Sequence, residues 1–341
     1  MKPMRFMHPG TFMSPEMTRT LSKDASSHPL RKKALEKLMK DTPLGYSAQA
    51  LANVDVGYHG VGQGHKECTK DGEVAVSAAL LLWATGNEKY GMLAIDILRD
   101  WATTNVVWKG DNALLEAAWS ICSMARAAEL LKHSMVPAVR DAWAKKVEGV
   151  FFSWLDKVIM PVLCSEHIWK WDMCGNWHFS QISARMQLAI LREDKGEWEW
   201  CVKKYPEALQ KALTWKCCPG ETAETLRDVT HAQFLLGGAV QIPEMAHHQG
   251  FNLWDERLLD CFELQARIMM KEVPAGVPKE SINTPYGYWY EPVWHIPYAH
   301  FVGRKKKSMP HTKRYIDSLG PDRVCFHWGP NLLTHFDRCH A

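Results

Sequence analysis

The apolar residues Tyr90, Leu93, Ala94, Ile97, Leu98 and Trp101 recur at i, i+3, i+4, i+7, i+8 and i+11, the spacing of one face of an α-helix. The preceding segment, Glu73 to Thr85, has the same period and ends at Gly86-Asn87, a natural helix stop, so the two predict a helical hairpin. A second hairpin is predicted from Ala113–Lys132 and Ala138–Val162. A third joins Trp177–Leu191 to Glu197–Leu213 through the polar turn Arg192-Glu193-Asp194-Lys195-Gly196, and a fourth pairs Ala223–His247 with Leu253–Met270. Alternating strand patterns are almost absent and no βαβ unit is visible. Successive antiparallel helix pairs in a chain of 341 residues predict an all-α fold, an (α/α) toroid or incomplete α/α barrel. A solenoid of short repeats is the structural alternative, but no fixed period supports it.

A single unit is expected over residues 1–341. From about residue 271 the character changes: Pro274, Pro278, Pro285, Pro292 and Pro297 break any long helix, and Tyr286, Tyr288, Trp289, Tyr290, Trp294 and Tyr298 crowd the same stretch. This segment reads as a strap that closes the toroid and carries functional loops.

Composition removes several function classes. A net charge of +3 is too small for a nucleic-acid partner, which needs a concentrated basic face. No apolar run reaches about 18 residues, so no membrane partner is expected. The first residues, Met1 to His8, lack the apolar core of a signal peptide, which leaves a secreted protein without its leader, the expectation here, or a cytoplasmic one. The 10 cysteines show no CxxC pairs at zinc-site spacing, and neither metal nor cofactor is expected. Sixteen tryptophans (Trp 16) exceed what a core of this size needs, and indole faces also stack on sugar rings.

The densest chemistry lies in Glu224-Thr225-Leu226-Arg227-Asp228-Val229-Thr230-His231. On a helix Glu224, Arg227 and His231 share one face, presenting an acid, a fixed cation and a group that titrates near neutrality. The bland reading is a surface ion pair beside a half-buried histidine. Gly237-Gly238, two turns on, predicts an open groove at that level, since glycine weakens a helix. Asn176 in Cys174-Gly175-Asn176-Trp177-His178 reads by itself as an N-cap. In Trp294-His295-Ile296-Pro297-Tyr298-Ala299-His300, a phenol between histidines is either a proton donor or aromatic packing. Gly57-Tyr58-His59-Gly60-Val61-Gly62-Gln63-Gly64-His65 is glycine-rich, lacks a phosphate-loop Lys-Ser/Thr, and reads as a loop over a cleft with no strand before it. Arg304-Lys305-Lys306-Lys307 reads as a solvated loop.

Together these segments resemble the alginate-lyase-like polysaccharide lyases of α/α toroid fold. The resemblance runs from about residue 6 to about 315. It begins at Phe6-Met7-His8-Pro9-Gly10 and continues through Trp83-Ala84-Thr85-Gly86-Asn87-Glu88-Lys89-Tyr90 and Ala94-Ile95-Asp96-Ile97-Leu98. Gly175-Asn176-Trp177, Glu224-x-x-Arg227-Asp228-x-x-His231 and Ile296-Pro297-Tyr298-Ala299-His300 complete it in order. The resemblance implies β-elimination at a 4-linked uronic acid polymer, alginate or glucuronan, with an anionic polysaccharide as partner. It implies Asn176 and Arg227 on the sugar carboxylate, His231 as base for the C5 proton and Tyr298 as acid for the leaving oxygen, or one tyrosine in both roles. Trp177, Tyr286 and Tyr288 would stack on sugars, with Glu224, Asp228, His295 and His300 as binding or orienting groups. Two departures bear on which polyuronate is taken: Glu291-Pro292 stands where relatives carry a basic residue, and the early glycine loop has no arginine. The alternatives are a glycoside hydrolase on the same scaffold, which needs two carboxylates roughly 5–10 Å apart, and a carbohydrate-binding protein without catalysis.

Overall fold

The computed structural model describes residues 5–335 apart from 215, 273–274, 278–281, 286, 288–292 and 321–323. In chain order its elements are α1 (Pro15–Asp24), α2 (Pro29–Asp41), β1 (Asn53–Val56), β2 (Gly62–Gln63), α3 (His65–Thr85), α4 (Glu88–Thr104), β3 (Val107–Lys109), α5 (Ala113–Lys132), α6 (Pro137–Lys146), α7 (Glu148–Trp154) and α8 (Met160–Leu163). They continue with α9 (Asn176–Arg192), α10 (Lys195–Ala212), α11 (Val229–His248), α12 (Arg257–Met269), α13 (His295–Tyr298), α14 (Pro310–Asp317) and α15 (Asn331–Thr334). Among the described residues no helix is long and apolar enough to cross a membrane.

The helical hairpins form an α/α toroid. Its inner layer runs α3 on α5, α5 on α9 and α9 on α11, while α4, α10 and α12 lie outside α3, α9 and α11. Burial follows the layers. Along α5 nearly every residue from Ala113 to Leu131 is buried, with Ala117, Ala118, Ala125, Ala127 and Ala128 keeping neighbouring axes close. Outer α4 instead buries one stripe, Tyr90, Leu93, Ala94, Ile97, Leu98 and Trp101 among it. Burying each large apolar side chain in such a stripe contributes roughly 1.5–3 kcal/mol. The α3–α4 turn follows the expected logic: Gly86 takes the left-handed conformation (φ 70°) and the Asn87 side chain caps α4 through Lys89 N.

Two expectations change. The arm predicted as Ala138–Val162 is divided into α6, α7, a π-helical turn at Leu155–Ile159 and α8. Pro161, which has no N–H to continue the ladder, lies directly after that turn. A three-stranded sheet, ordered β2-β1-β3, also exists where no strand was expected. β1 pairs antiparallel with β2, Asp55 opposite Gln63, and parallel with β3, Val54 opposite Trp108. Strands this short show no alternation in sequence. Asn105 holds them: its amide donates to Leu51 O and Ala52 O, and its oxygen accepts from the indoles of Trp108 and Trp154.

Buried ionic groups on the inner helices tie down the irregular chain. On α3, Asp71 accepts from Tyr46 Oη (2.5 Å), Gln49 N (2.8 Å) and Trp101 Nε1 (2.6 Å). On α5, Arg126 donates to Gln241 Oε1 and to the carbonyls of Phe326 and His327. One turn on, Glu129 accepts from Gly10 N, Thr11 N, Thr11 Oγ1 and His8 Nδ1 at 2.5–2.9 Å. On α11, Glu244 pairs with Arg304, His248 and His335. Arg304 is therefore an internal partner and not part of a solvated basic loop, and His248 has its carboxylate one turn back.

Burial by itself would lower the pKa of His8 and raise that of Glu129. Their mutual hydrogen bond and charge, joined by Thr11 on Glu129, prevail, so His8 titrates above and Glu129 below its ordinary value. His133, stacked on His8 at 4.2 Å, is pushed down to about 4, by burial first and the His8 charge second. The carboxylate contribution is present above the ordinary 4.5 and lost as pH falls through the folded value. The histidine contribution is present below 6.5 and lost as pH rises through the folded value. Glu129→Ala should cost on the order of 3 kcal/mol by stranding buried donors, read from urea unfolding. The penalty should be greatest between about pH 5 and 6.5, where both partners are charged. An equal penalty at pH 3 would refute the ionic tether.

Candidate active site

The N-terminal ends of α5, α9 and α11 open into one cavity of about 1020 Å³. Alternation of inner and outer helices points these inner ends the same way, and each carries the positive end of a helix dipole. Such a site favours an anion before any side chain acts. Among its walls are Asn112, Glu116 and Trp119 from α5, Trp177 from α9, and Thr230, His231 and Phe234 from α11.

Ahead of α11, Glu224 to Arg227 form turns and not the helix expected from the sequence. The helix starts at Val229 because Asp228, in extended backbone (φ −170°, ψ 163°), caps it. Asp228 Oδ1 accepts from Thr230 N (2.9 Å) and His231 N (2.8 Å), while Oδ2 lies 2.6 Å from His231 Nδ1. One carboxylate thus starts the helix and orients the imidazole. With the proton on Nδ1, the acceptor lone pair lies on Nε2. Arg227, 52% exposed, donates to Glu224 Oε2 at 3.1 Å and has its Nε 3.9 Å from Asp228 Oδ2. The other Glu224 oxygen accepts from Asn176 N at 3.3 Å. A Cβ on Gly175 would lie 2.4 Å from that oxygen, so glycine is what lets the α9 terminus and the Glu224 turn meet. Glu224, Arg227, Asp228 and His231 are brought together as expected, by a capped turn in place of a continuous helix face.

Asn176 is the first residue of α9, and the cap position belongs to Gly175. Its side chain is buried and, unlike Gly175 and Trp177 on either side, Asn176 is not among the residues lining the cavity; Oδ1 has no hydrogen-bond partner among the described residues. Because amide oxygen and nitrogen are interchangeable by a flip, the group can offer a donor as readily. Trp177 lines the cavity with Trp171, their rings 5.5 Å apart at 66°. Gly237-Gly238 marks no groove. A Cβ on Gly237 would meet the His327 ring at 3.1 Å and one on Gly238 would meet Phe179 Cβ at 2.6 Å, so both glycines serve close packing.

The late Tyr–His segment lies elsewhere. Tyr298, His295 and His300 are buried on α13 and the turn after it, and none is among the residues lining the cavity. His300 stacks on Trp254 (4.0 Å, 8°), and burial, then the Arg304 charge, lowers its pKa to about 3. Trp294 beside it is fully buried against Phe262 and Tyr315. Tyr286 and Tyr288 fall outside the described residues, as does Glu291. Asn283 and Pro285 of the same stretch do line the cavity, and Asn283 O accepts from Val229 N.

The glycine loop expected over a cleft reaches the cavity through Tyr58, 68% exposed, and Gly60. Other cavity residues carried no sequence signal. Trp119 donates to Ser180 Oγ and stacks on Phe326 at 4.4 Å, and Phe234 sits edge-on to His231 at 5.8 Å. Glu116 stands in the first turn of α5. Here burial pushes its carboxyl up to about 7, with Lys66 working weakly against it. Among the described residues no group of three or more His, Cys, Asp or Glu is arranged to hold a metal ion.

The family profile described as alginate lyase matches residues 62–266. No curated protein sequence matches the chain. Among solved structures, an alginate lyase from Bacteroides ovatus superposes with a TM-score of 0.63 at 13% identity, covering 96% of this chain and 99% of that one. Alginate lyase A1-III from Sphingomonas species A1 gives 0.58 at 14%, covering 94% and 99%. A variant of alginate lyase A1-III complexed with tetrasaccharide gives 0.67 at 13%, covering 98% and 97%. At these identities the likeness is one of fold, the α/α toroid.

Asp228 has two duties that substitution can separate. Asp228→Ala should lower stability by about 1–2 kcal/mol through loss of the cap, whereas Asp228→Asn, which still caps, should cost only a few tenths. Denaturant midpoints check this, and equal losses for both would show that the cap is not what Asp228 contributes.

Proposed function

Because this chain belongs to the alginate lyase family and is a polysaccharide lyase, we propose that its cleft cleaves a 4-linked polyuronate, alginate or glucuronan, by β-elimination. The observation that carries this reading is the Asp228–His231 pair (2.6 Å) beside the Glu224–Arg227 pair (3.1 Å) on one cavity wall. The C5 proton of a uronate is too weakly acidic to leave while the adjacent carboxylate keeps its full charge, so that charge must be met as it grows. Arg227, exposed to the cavity and held by Glu224, meets it, with the Asn176 amide as a second donor. His231 Nε2 takes the C5 proton, and Asp228 supports the imidazolium that forms. The C4–O4 bond then breaks, C4=C5 forms, and the departing oxygen takes a proton.

Tyr298 is not among the residues that line the cavity, and the acid is sought among those that are. Among the described residues Tyr58 is the tyrosine that lines it, and in this reading its phenol protonates the leaving O4. Trp177 and Trp171 supply apolar faces for sugar rings.

Incubation with alginate, polymannuronate, polyguluronate, glucuronan and hyaluronan, followed by ultraviolet absorbance, tests the reaction. Absorbance from unsaturated ends is expected with at least one of the polyuronates. Reducing ends without absorbance would mean hydrolysis, and binding with neither would mean a carbohydrate-binding protein. On the responsive substrate His231→Ala should lower kcat by about 10²–10⁴-fold and Tyr58→Phe by a comparable factor. Full activity in both variants would overturn the residue assignment while leaving the reaction class in place.

A further inference from the structure

Glu116 lines the cavity from α5, whereas Arg227 and His231 line it from the start of α11 and the turn before it. Its Oε1 lies 3.9 Å from where a Cβ on Gly60 would be, so the carboxyl faces the glycine loop that carries Tyr58. Among the described residues no hydrogen bond reaches it. It sits in the first turn of α5, where a helix dipole favours the ionised form. Even so, burial dominates and holds its proton up to about pH 7. Of the charged groups near it, Lys66 from α3 opposes this weakly, and the neighbouring His65 has its own pKa lowered, by burial first and by Lys66 second. Tyr58 comes from the loop. Glu224, Arg227, Asp228 and His231 also line the cavity, and none of them is among the causes of its shift.

An acid in this state is unusual company for a polyanion. Ionised, it repels a sugar carboxylate. Protonated, it is a hydrogen-bond donor to one, and a shared proton between two carboxyl groups makes a short, charge-assisted bond. We propose that Glu116 is a specificity-determining residue that recognises a uronate carboxylate in its protonated form, on a sugar other than the one whose carboxylate meets Arg227. Ligand entry at or above neutral pH then carries a proton into the cleft. A neutral sugar gains only an ordinary neutral hydrogen bond from the group, weaker than the charge-assisted one a carboxylate makes, so the cleft favours acidic chains. This rests on the polyuronate reading above.

Titration calorimetry with a saturated uronate tetrasaccharide tests it, using His231→Ala so that turnover and imidazole titration do not contribute. Repeating the titration near pH 8 in buffers of different ionisation heat should show uptake approaching one proton per ligand. Affinity should weaken above about pH 7 by up to about tenfold per pH unit. Adding Glu116→Gln, which keeps a donor, should abolish the uptake and flatten that pH dependence while retaining binding. Adding Glu116→Ala should weaken binding on the acid side, where the proton is present. Uptake that persists in the Gln variant, or affinity independent of pH while Glu116 is present, overturns the proposal. If the wild type releases unsaturated ends but shows no Glu116-dependent uptake, this inference alone fails. If the uptake depends on Glu116 and no unsaturated ends form, the elimination reading alone fails.

Discussion

Buried charge on the inner helices is the constraint on which the rest of this molecule depends. An ionised group removed from water is costly unless its hydrogen-bonding capacity is filled, and each of these is filled largely by chain that has no regular structure of its own. Glu129 gathers the backbone at Gly10 and Thr11, Asp71 gathers Tyr46 and Gln49, and Arg126 gathers the carbonyls of Phe326 and His327. Glu244 does the same with Arg304 and His335. Both ends of the described chain are thereby fastened to the toroid's inner layer, and Phe326 packs against Trp119 and Phe234, two aromatic residues that line the cavity.

That framework leaves the inner helix N-termini to face the cavity together. The local devices that begin each helix become parts of the site. Asp228 starts α11 and holds His231, while Glu224 receives the α9 backbone at Asn176 and anchors Arg227. A carboxylate at a helix start is ordinarily a matter of a kilocalorie or so. Here the same interaction fixes the tautomer and direction of the one titratable imidazole among the described cavity-lining residues. Stability and chemistry share atoms, so substitutions must be chosen to separate them.

The cavity is also uneven in polarity. Trp119, Phe234, Trp171 and Trp177 give it aromatic surface, and its charged groups are those around His231 and the acid Glu116. Burial raises the pKa of Glu116. Sugar rings offer both apolar faces and polar edges, which matches a cleft divided in this way.

Much of this was legible in the sequence. The hairpins at 73–101, 113–132 and 177–213 follow from a helical apolar period with clear stops, because an inner or outer helix must bury a face and local chemistry ends it. The grouping of Glu224, Arg227, Asp228 and His231 was legible for the same reason: residues within one or two turns stay together whether the backbone is helix or turn. What the sequence left undecided were matters of distance along the chain. Gly237-Gly238 looked like space and is packing against His327 and Phe179. Tyr298 looked like an acid and is buried on α13, outside the cavity lining. The glycine loop with Tyr58 was expected over a cleft and does line it, whereas Glu116, which also lines it, carried no signal. The sequence by itself determined the helices and the local dyad, since those depend on neighbours a few residues away. Only the tertiary structure decided which distant side chains share the cavity and which acid keeps its proton, because burial and facing are properties of how the helices pack.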